Sequence, residues 1–135
     1  MKKIISMALV LLMLFALVSC GLVREPEDFQ EALKKRYGND IALALTETEN
    51  GIKMMGSWLG LDPDGVTAVL RIDLEIDGDN EMGYVIYCED SKTAKNMKAD
   101  CEELVDKYHR KYVIKQVGNN VYVGDEDVWK AIMMV

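Results

Sequence analysis

Residues 66–76 read VTAVLRIDLEI, and apolar side chains occupy every even-numbered position of this stretch. Alternation with a period of two is typical of a β-strand that buries one face and exposes the other. Asp77-Gly78-Asp79-Asn80 then turns the chain. The buried side of the returning strand is expected to carry Met82, Tyr84, Ile86 and Cys88. This hairpin is the predicted centre of an antiparallel sheet.

Helix and strand patterns flank the hairpin on both sides. Before it we expect a helix that begins at Pro26, a strand from Ile41 to Thr48, a turn at Glu49-Asn50-Gly51 and a second strand from Ile52 to Leu59. After it we expect a helix capped by Ser91, a hairpin over 112–124 and a short helix capped by Asp125. The predicted fold is therefore α+β, with a mainly antiparallel sheet in the order α-β-β-β-β-α-β-β-α and the helices on one face, which makes two layers.

The N-terminus has the three parts of a secretory signal peptide. Lys2 and Lys3 precede an apolar run from Ile4 to Leu17, and the small residue Ser19 follows it. From Ile4 to Ser19 the run is about 16 residues long, whereas a helix that spans a membrane needs roughly 20. The run therefore predicts export rather than a transmembrane anchor.

Leu17-Val18-Ser19-Cys20 resembles the lipobox of bacterial lipoproteins. The resemblance implies that a signal peptidase recognises Leu17, Val18 and Ser19, and that the Cys20 thiol takes a covalent diacylglycerol and becomes the mature N-terminus. No other cofactor is expected. The alternatives are a transmembrane helix that ends in cysteine and an ordinary cleaved signal peptide that leaves a free cysteine.

The predicted organisation has three parts: a signal peptide over 1–19, the lipidated cysteine with a short tether over 20–25, and a single domain over 26–135. Because an extended residue covers at most about 3.5 Å, the tether holds the domain close to the bilayer. The predicted location is the extracytoplasmic face of the bacterial cell membrane, reached through the lipid anchor.

Charge argues against nucleic acid as a partner. Removal of Lys2 and Lys3 with the signal peptide leaves 14 basic against 23 acidic residues, a net charge near −9. Such a domain is repelled by phosphates and by anionic headgroups. The expected partners are the membrane, through the anchor, and an envelope or membrane protein that the sequence does not identify.

The mature chain is also similar in layout to small Firmicutes lipoproteins of unknown function. The segments that carry this resemblance are Tyr87-Cys88-Glu89-Asp90-Ser91, Val113-Ile114-Lys115 and Asn120-Val121-Tyr122-Val123. The resemblance supports the α+β fold predicted above and implies no catalytic residues.

The acidic hairpin, Asp73 to Glu81, resembles the start of an EF-hand calcium loop, with acids at alternate positions and Gly78 at the sixth. Asn80 stands where an apolar residue is usual, and Tyr84 stands where a glutamate should close the loop. A half-exposed strand shows the same alternation. We therefore predict no metal site and keep only weak candidates: Asp77, Asp79 and Glu81.

No pattern indicates catalytic residues. His109 is the only histidine, so an ordinary zinc site is not expected, and neither Ser57 nor Ser91 lies in a nucleophile elbow. Cys88 and Cys101 are predicted to be free, buried thiols. The two tryptophans, Trp58 and Trp129, are predicted to belong to the core.

These patterns favour a lipid-anchored, non-enzymatic module that binds or modulates something at the membrane surface, with the acidic hairpin as the first surface to test. One alternative is an envelope-acting hydrolase, which an exposed cleft with several acids of raised pKa would favour. A second is a weak calcium-binding domain. A third is a module that binds a peptide or a sugar, which an apolar pocket with an exposed tryptophan would favour.

Overall fold

The computed structural model describes residues 24–108 and 111–135. The predicted signal peptide, Leu17-Val18-Ser19-Cys20 and His109 lie outside those ranges. The described residues form four α-helices, one short 3-10 helix at Gly38–Asp40 and five β-strands. In chain order these are α1 (Pro26–Tyr37), β1 (Ile41–Thr46), α2 (Glu49–Leu59), β2 (Val66–Ile76), β3 (Asp79–Cys88), α3 (Ser91–Lys107), β4 (Val113–Val117), β5 (Asn120–Gly124) and α4 (Glu126–Met133).

The five strands form one antiparallel sheet in the order β1-β2-β3-β5-β4. The predicted α+β class and antiparallel sheet are confirmed, and β2 has the predicted bounds, Val66–Ile76. β1 and β4 lie at the two edges, and β2 and β3 lie inside the sheet. The alternating stretch, β2, is thus an inner strand, and it pairs with β1 on one side and with β3 on the other.

The turn of the β2–β3 hairpin decides which side chains share a face. Asp77 has φ 53° and Gly78 has φ 85°, so two left-handed residues close a two-residue loop. Such a loop pairs even with odd positions, as in Leu70 opposite Val85 and Arg71 opposite Tyr84. Paired residues share a face. Ile86 and Cys88 are buried as expected, but the expected face is wrong. The side chains of four residues lie on the opposite face from Leu70, namely Met82, Tyr84, Ile86 and Cys88.

Helices cover both faces of the sheet. The α1 face packs Leu70, Val85 and Tyr122 against α1 and α4, through Phe29, Leu33, Val128 and Ile132. The α3 face packs Ile86, Cys88 and Val121 against α3, through Ala94, Met97 and Cys101. The expectation of two layers with the helices on one face is wrong in this respect, because β3 buries consecutive residues from Val85 to Cys88, as a strand covered on both sides does.

The segment from Ile52 to Leu59 is helical, so the predicted second strand and its turn are wrong. Thr48 is the N-cap of α2, and its hydroxyl accepts a hydrogen bond from the Gly51 N–H at 3.2 Å. The buried residues of α2, Ile52 and Gly56, are four positions apart. A Cβ at Gly56 would lie 2.9 Å from the Leu61 carbonyl oxygen, so glycine permits the close backbone approach at this helix.

The caps of the later helices also differ in part from expectation. Asp90, rather than Ser91, caps α3, and its carboxylate accepts from the Thr93 N–H at 2.7 Å. This hydrogen bond lowers the pKa of Asp90. Asp125 precedes α4 as predicted, but its carboxylate binds the backbone of β3 instead of the first turn of its own helix.

Candidate functional site: an aromatic groove

An open apolar groove lies on the α3 face, where the C-terminal ends of α2 and α3 meet the sheet. Its volume is about 360 Å³, within the range of ligand pockets in proteins. The residues that line it are Trp58, Leu59, Leu61, Met82, Tyr84, Cys101, Leu104, Val105, Tyr108, Tyr112 and Val123.

The sheet supplies the floor of the groove. Tyr84 of β3 pairs with Val123 of β5, so their side chains share the α3 face. Met82 lies two residues before Tyr84 and points to the same side. The two-residue turn therefore places Met82 and Tyr84 in the groove instead of the core beneath α1.

The ends of two helices supply the walls. Gly60, with φ 73°, ends α2, and its N–H donates to the Gly56 carbonyl oxygen. At the end of α3 the Tyr108 N–H donates to the Leu104 carbonyl oxygen at 3.1 Å. These ends bring Trp58 and Tyr108 to the mouth of the groove.

The aromatic side chains at the mouth are exposed. Trp58 is 84% exposed and Tyr108 is 61% exposed, so the expectation that Trp58 belongs to the core is wrong. Trp129 is half-buried, and its ring lies against Tyr122 with 5.3 Å between centroids, which confirms its structural role. An exposed tryptophan beside an apolar depression is typical of an interaction site.

Charged groups stand at the rim, whereas none of the described residues that line the groove is charged. The Arg71 guanidinium lies 3.0 Å from the Asp73 carboxylate, and this hydrogen bond, with a smaller effect of the neighbouring Tyr84, raises the pKa of Arg71. The Lys107 ammonium lies 5.6 Å from the centroid of the Tyr108 ring. Both cations therefore already have partners.

The lining suits apolar side chains better than a sugar. Beyond the weakly polar sulfur atoms of Met82 and Cys101, the polar side-chain atoms of the lining are the tyrosine hydroxyls and the indole N–H. A sugar needs several directed hydrogen bonds, commonly from carboxylates and amides. Aromatic and aliphatic groups instead gain free energy by removing apolar surface from water.

The weak calcium candidates do not come together. Asp77 lies in the tight turn, and Asp79 and Glu81 follow it on β3. Glu81 meets Asp125 instead, and the hydrogen bond and the charge repulsion between these carboxyl groups raise the pKa of Glu81. Over residues 24–108 and 111–135, no group of three or more His, Cys, Asp or Glu side chains is placed to hold a metal ion.

A second carboxyl pair lies elsewhere. A hydrogen bond between Glu27 and Glu47 raises the pKa of Glu47 and lowers that of Glu27. Glu47 follows the last residue of β1, whereas Glu81 lies near the first, because both Glu81 and Ile41 pair with Leu74. The two acids of raised pKa are thus separated by roughly the length of β1, about 20 Å. An acidic cleft of about 580 Å³ contains Glu47 but not Glu81.

The remaining candidate nucleophiles are accounted for by structure. Cys88 and Cys101 are free and buried in one apolar cluster, as predicted. Burial raises the pKa of the Cys88 thiol to about 11 and that of Cys101 to about 12. Ser57 is exposed on α2, and Ser91 is the first residue of α3.

Of the helices in the part of the chain that the structure describes, none combines the length and the apolar character that crossing a membrane requires. Comparisons of this chain with protein-family models, with characterised proteins and with solved structures find no match.

Proposed function

We propose that this chain is a lipid-anchored module of the extracytoplasmic face of the bacterial cell membrane, and that it binds an apolar segment of a peptide or protein in the aromatic groove. The proposed anchor is a diacylglycerol on Cys20. The proposed activity is binding without catalysis. The observation that carries the binding proposal is Trp58, which stands 84% exposed at the mouth of an uncharged groove.

Residue types support a peptide as the ligand. Tryptophan and tyrosine are enriched at the residues that dominate binding energy in interfaces, and methionine adapts its shape to different apolar partners. The groove presents all three types in Trp58, Tyr108 and Met82. The net charge near −9 of the predicted mature chain further favours a segment with basic residues beside its apolar ones.

The position of the groove agrees with an anchor at the start of the domain. Arg24, the first described residue, lies with Tyr87 and Asn119 at one end of the sheet. Tyr84 is three residues earlier on β3, or about 10 Å along the strand, and it faces the opposite side of the sheet from Tyr87. The groove is thus displaced from the point where the tether joins the domain, which leaves its mouth open to a partner.

The other candidate functions receive less support. A hydrolase with two cooperating carboxyl groups is disfavoured because the carboxyl groups that meet, Glu27 with Glu47 and Glu81 with Asp125, are hydrogen-bonded to each other. Glycosidases hold their two carboxyl groups about 5 to 10 Å apart, which leaves room for the substrate. Calcium binding at the hairpin is disfavoured because Glu81 is engaged with Asp125.

The test uses the fluorescence of Trp58. Trp129→Phe leaves Trp58 as the only tryptophan of the chain, and the full chain is placed in nanodiscs of neutral phosphatidylcholine. We expect an amphipathic peptide of leucine and lysine to shift the emission of Trp58 to shorter wavelength. A peptide of serine and lysine of equal length and charge should not do so.

Groove variants complete the test. Tyr108→Ala should weaken binding of the leucine–lysine peptide by about tenfold or more, in the range of interface hot spots. Met54→Ala is the matched control, because Met54 is exposed on α2 but does not line the groove. Equal binding of both peptides, or equal loss in both variants, would contradict the proposal.

A further inference from the structure

β1 forms an edge of the described sheet, and the usual protections of such an edge are missing. Its six residues, Ile41–Thr46, include no charged residue and no proline, and its pairing with β2 runs without a bulge. Soluble proteins commonly protect edge strands with one of these features. The opposite edge, β4, carries the exposed Lys115. β1 therefore presents unprotected backbone donors and acceptors.

The side chains of β1 also leave room for a neighbour. Leu43 and Leu45 pack on the α1 face but remain only half-buried. Ala42 and Ala44, on the α3 face, are exposed and small. A further strand beside β1 would bury the remaining surface of the leucines without a steric conflict at the alanines.

The charges of α1 indicate which further strand would pair with β1. α1 is a helix that packs along β1, and its exposed acids lie in its first half, at Glu27, Asp28 and Glu31. Its exposed bases lie in its last turn, at Lys34, Lys35 and Arg36. Glu27, Glu31 and Lys34 lie on one side of the helix. Glu27 contacts Glu47, which follows β1, so this side of the helix reaches the C-terminal end of the edge strand.

We propose that β1 pairs with β1 of a second copy of this chain, antiparallel, about a two-fold axis perpendicular to the sheet. The axis places the acidic half of α1 opposite the basic half of the second α1, so the two helices are complementary in charge. Phe29 and Leu33 of α1 pack in one cluster with Leu70 of β2, so α1 lies inward of the edge strand. Two such helices, across paired strands about 4.8 Å apart, come near the 8–10 Å of ordinary helix packing. Closed two-fold symmetry is the commonest form of assembly.

Symmetry also restricts the register. Residues that pair across this axis share a face, so both must be even-numbered or both odd-numbered. A pairing centred on β1 then places either Leu43 or Ala44 on the axis. In the first case Ala42 lies opposite Ala44 of the second copy, and in the second case the two Ala44 residues lie opposite each other.

Cysteine cross-linking tests the pairing in cells that express the full chain at a low level. Ala42→Cys with Ala44→Cys covers both registers, because bridged Cα atoms lie within about 7 Å. Lys115→Cys with Val117→Cys places two cysteines on the β4 edge as the matched control. On mild oxidation we expect at least about fivefold more disulfide-linked dimer from the β1 variant than from the control, since paired strands bring these positions within that range. Equal amounts from both, or no dimer from the β1 variant, would overturn the proposal.

Charge reversal tests the orientation in the same cysteine background. Lys34→Glu with Lys35→Glu makes most of α1 acidic, and Glu27→Lys with Glu31→Lys makes most of it basic. Each variant alone should lose most of the cross-linked dimer, and co-expression of the two should restore it as a mixed dimer that weakens with added salt. If the separate variants cross-link as well as the parent, the antiparallel arrangement is wrong.

Discussion

Asp125 and Met82 exchange two hydrogen bonds, although they lie 43 residues apart in the chain. The Asp125 N–H donates to the Met82 carbonyl oxygen at 2.8 Å, and the Met82 N–H donates to Asp125 Oδ2 at 2.7 Å. The Tyr122 hydroxyl adds a bond to the Asp125 carbonyl oxygen at 2.6 Å. The start of α4 is thereby fixed to β3 at the residue whose side chain lines the groove on the other face.

Removal of the Asp125 carboxylate should destabilise the fold. Asp125→Ala leaves the Met82 N–H without its acceptor, so we expect the free energy of unfolding in urea to fall by about 1 to 3 kcal/mol. Asp125→Asn keeps an acceptor oxygen and should lose less. Asp127→Ala, an exposed neighbour on α4, should change it by no more than about 0.5 kcal/mol. Equal effects at both positions would contradict this role.

Glu81 should give stability an unusual dependence on pH. Its contact with Asp125 raises its pKa above the ordinary 4.5, so the folded chain binds this proton more tightly than the unfolded chain. The stability due to Glu81 is present below pH 4.5 and is lost as the pH rises through the raised pKa. In Glu81→Gln the free energy of unfolding, measured in urea at several pH values, should therefore fall less as the pH rises. Glu75→Gln is the control for the loss of one negative charge. If the free energy of unfolding of Glu81→Gln depends on pH as that of the parent does, the contact between Glu81 and Asp125 does not contribute to this dependence.

Gly56→Ala should destabilise the chain even though alanine favours helices. The added Cβ would lie 2.9 Å from the Leu61 carbonyl oxygen and 3.2 Å from Pro63 Cβ. Overpacking of this kind costs about 1 to 3 kcal/mol, which exceeds the gain in helix propensity of about 1 kcal/mol over most of that range. Ser57→Ala, exposed on the same helix, has no such conflict and should be neutral or slightly stabilising. Thermal unfolding distinguishes the two, and a higher midpoint for Gly56→Ala would refute the close approach.

The two tryptophans should differ in access to a soluble quencher. Trp129→Phe leaves the exposed Trp58, whereas Trp58→Phe leaves Trp129 against Tyr122. Acrylamide should therefore quench the emission of the Trp129→Phe chain more steeply than that of the Trp58→Phe chain. The reverse order would place Trp58 inside the protein and remove the main support for the groove as a site.

Cys20 should be required for both lipid attachment and processing. When cells are fed a labelled fatty acid, we expect the parent chain to take up label and to lose residues 1–19. Cys20→Ala should do neither, because the acceptor thiol is gone. Cys88→Ala, at a buried thiol, should behave as the parent. A parent chain that keeps its first nineteen residues would exclude the anchor.

Local patterns predicted most of the fold, and long-range packing explains the main errors. β2 has the predicted bounds because its alternation is unbroken, and Pro26 and Gly38 bracket α1 as helix signals do. The strand predicted over Ile52 to Leu59 is wrong because Gly51 and Gly56 weaken the helical pattern of α2. Gly56 is required by the contact with Leu61, which no local pattern shows.

The candidate site was predictable only in part. The length of the Asp77-Gly78 turn, read with the hairpin rules, would have placed Tyr84 on the face opposite Leu70. That inference requires only the parity of a two-residue loop. The meeting of Trp58 with Tyr108 depends on where two helices end relative to the sheet, and residues 50 positions apart carry no sequence signal for it.

The two interior cysteines make the folded domain insensitive to the redox state of its surroundings. A thiol with a pKa of about 11 or 12 stays protonated at neutral pH, and a buried one is shielded from exchange with disulfides. The folded domain therefore keeps Cys88 and Cys101 as free thiols. It can also carry one engineered surface cysteine for a spectroscopic label without competing reaction from Cys88 or Cys101.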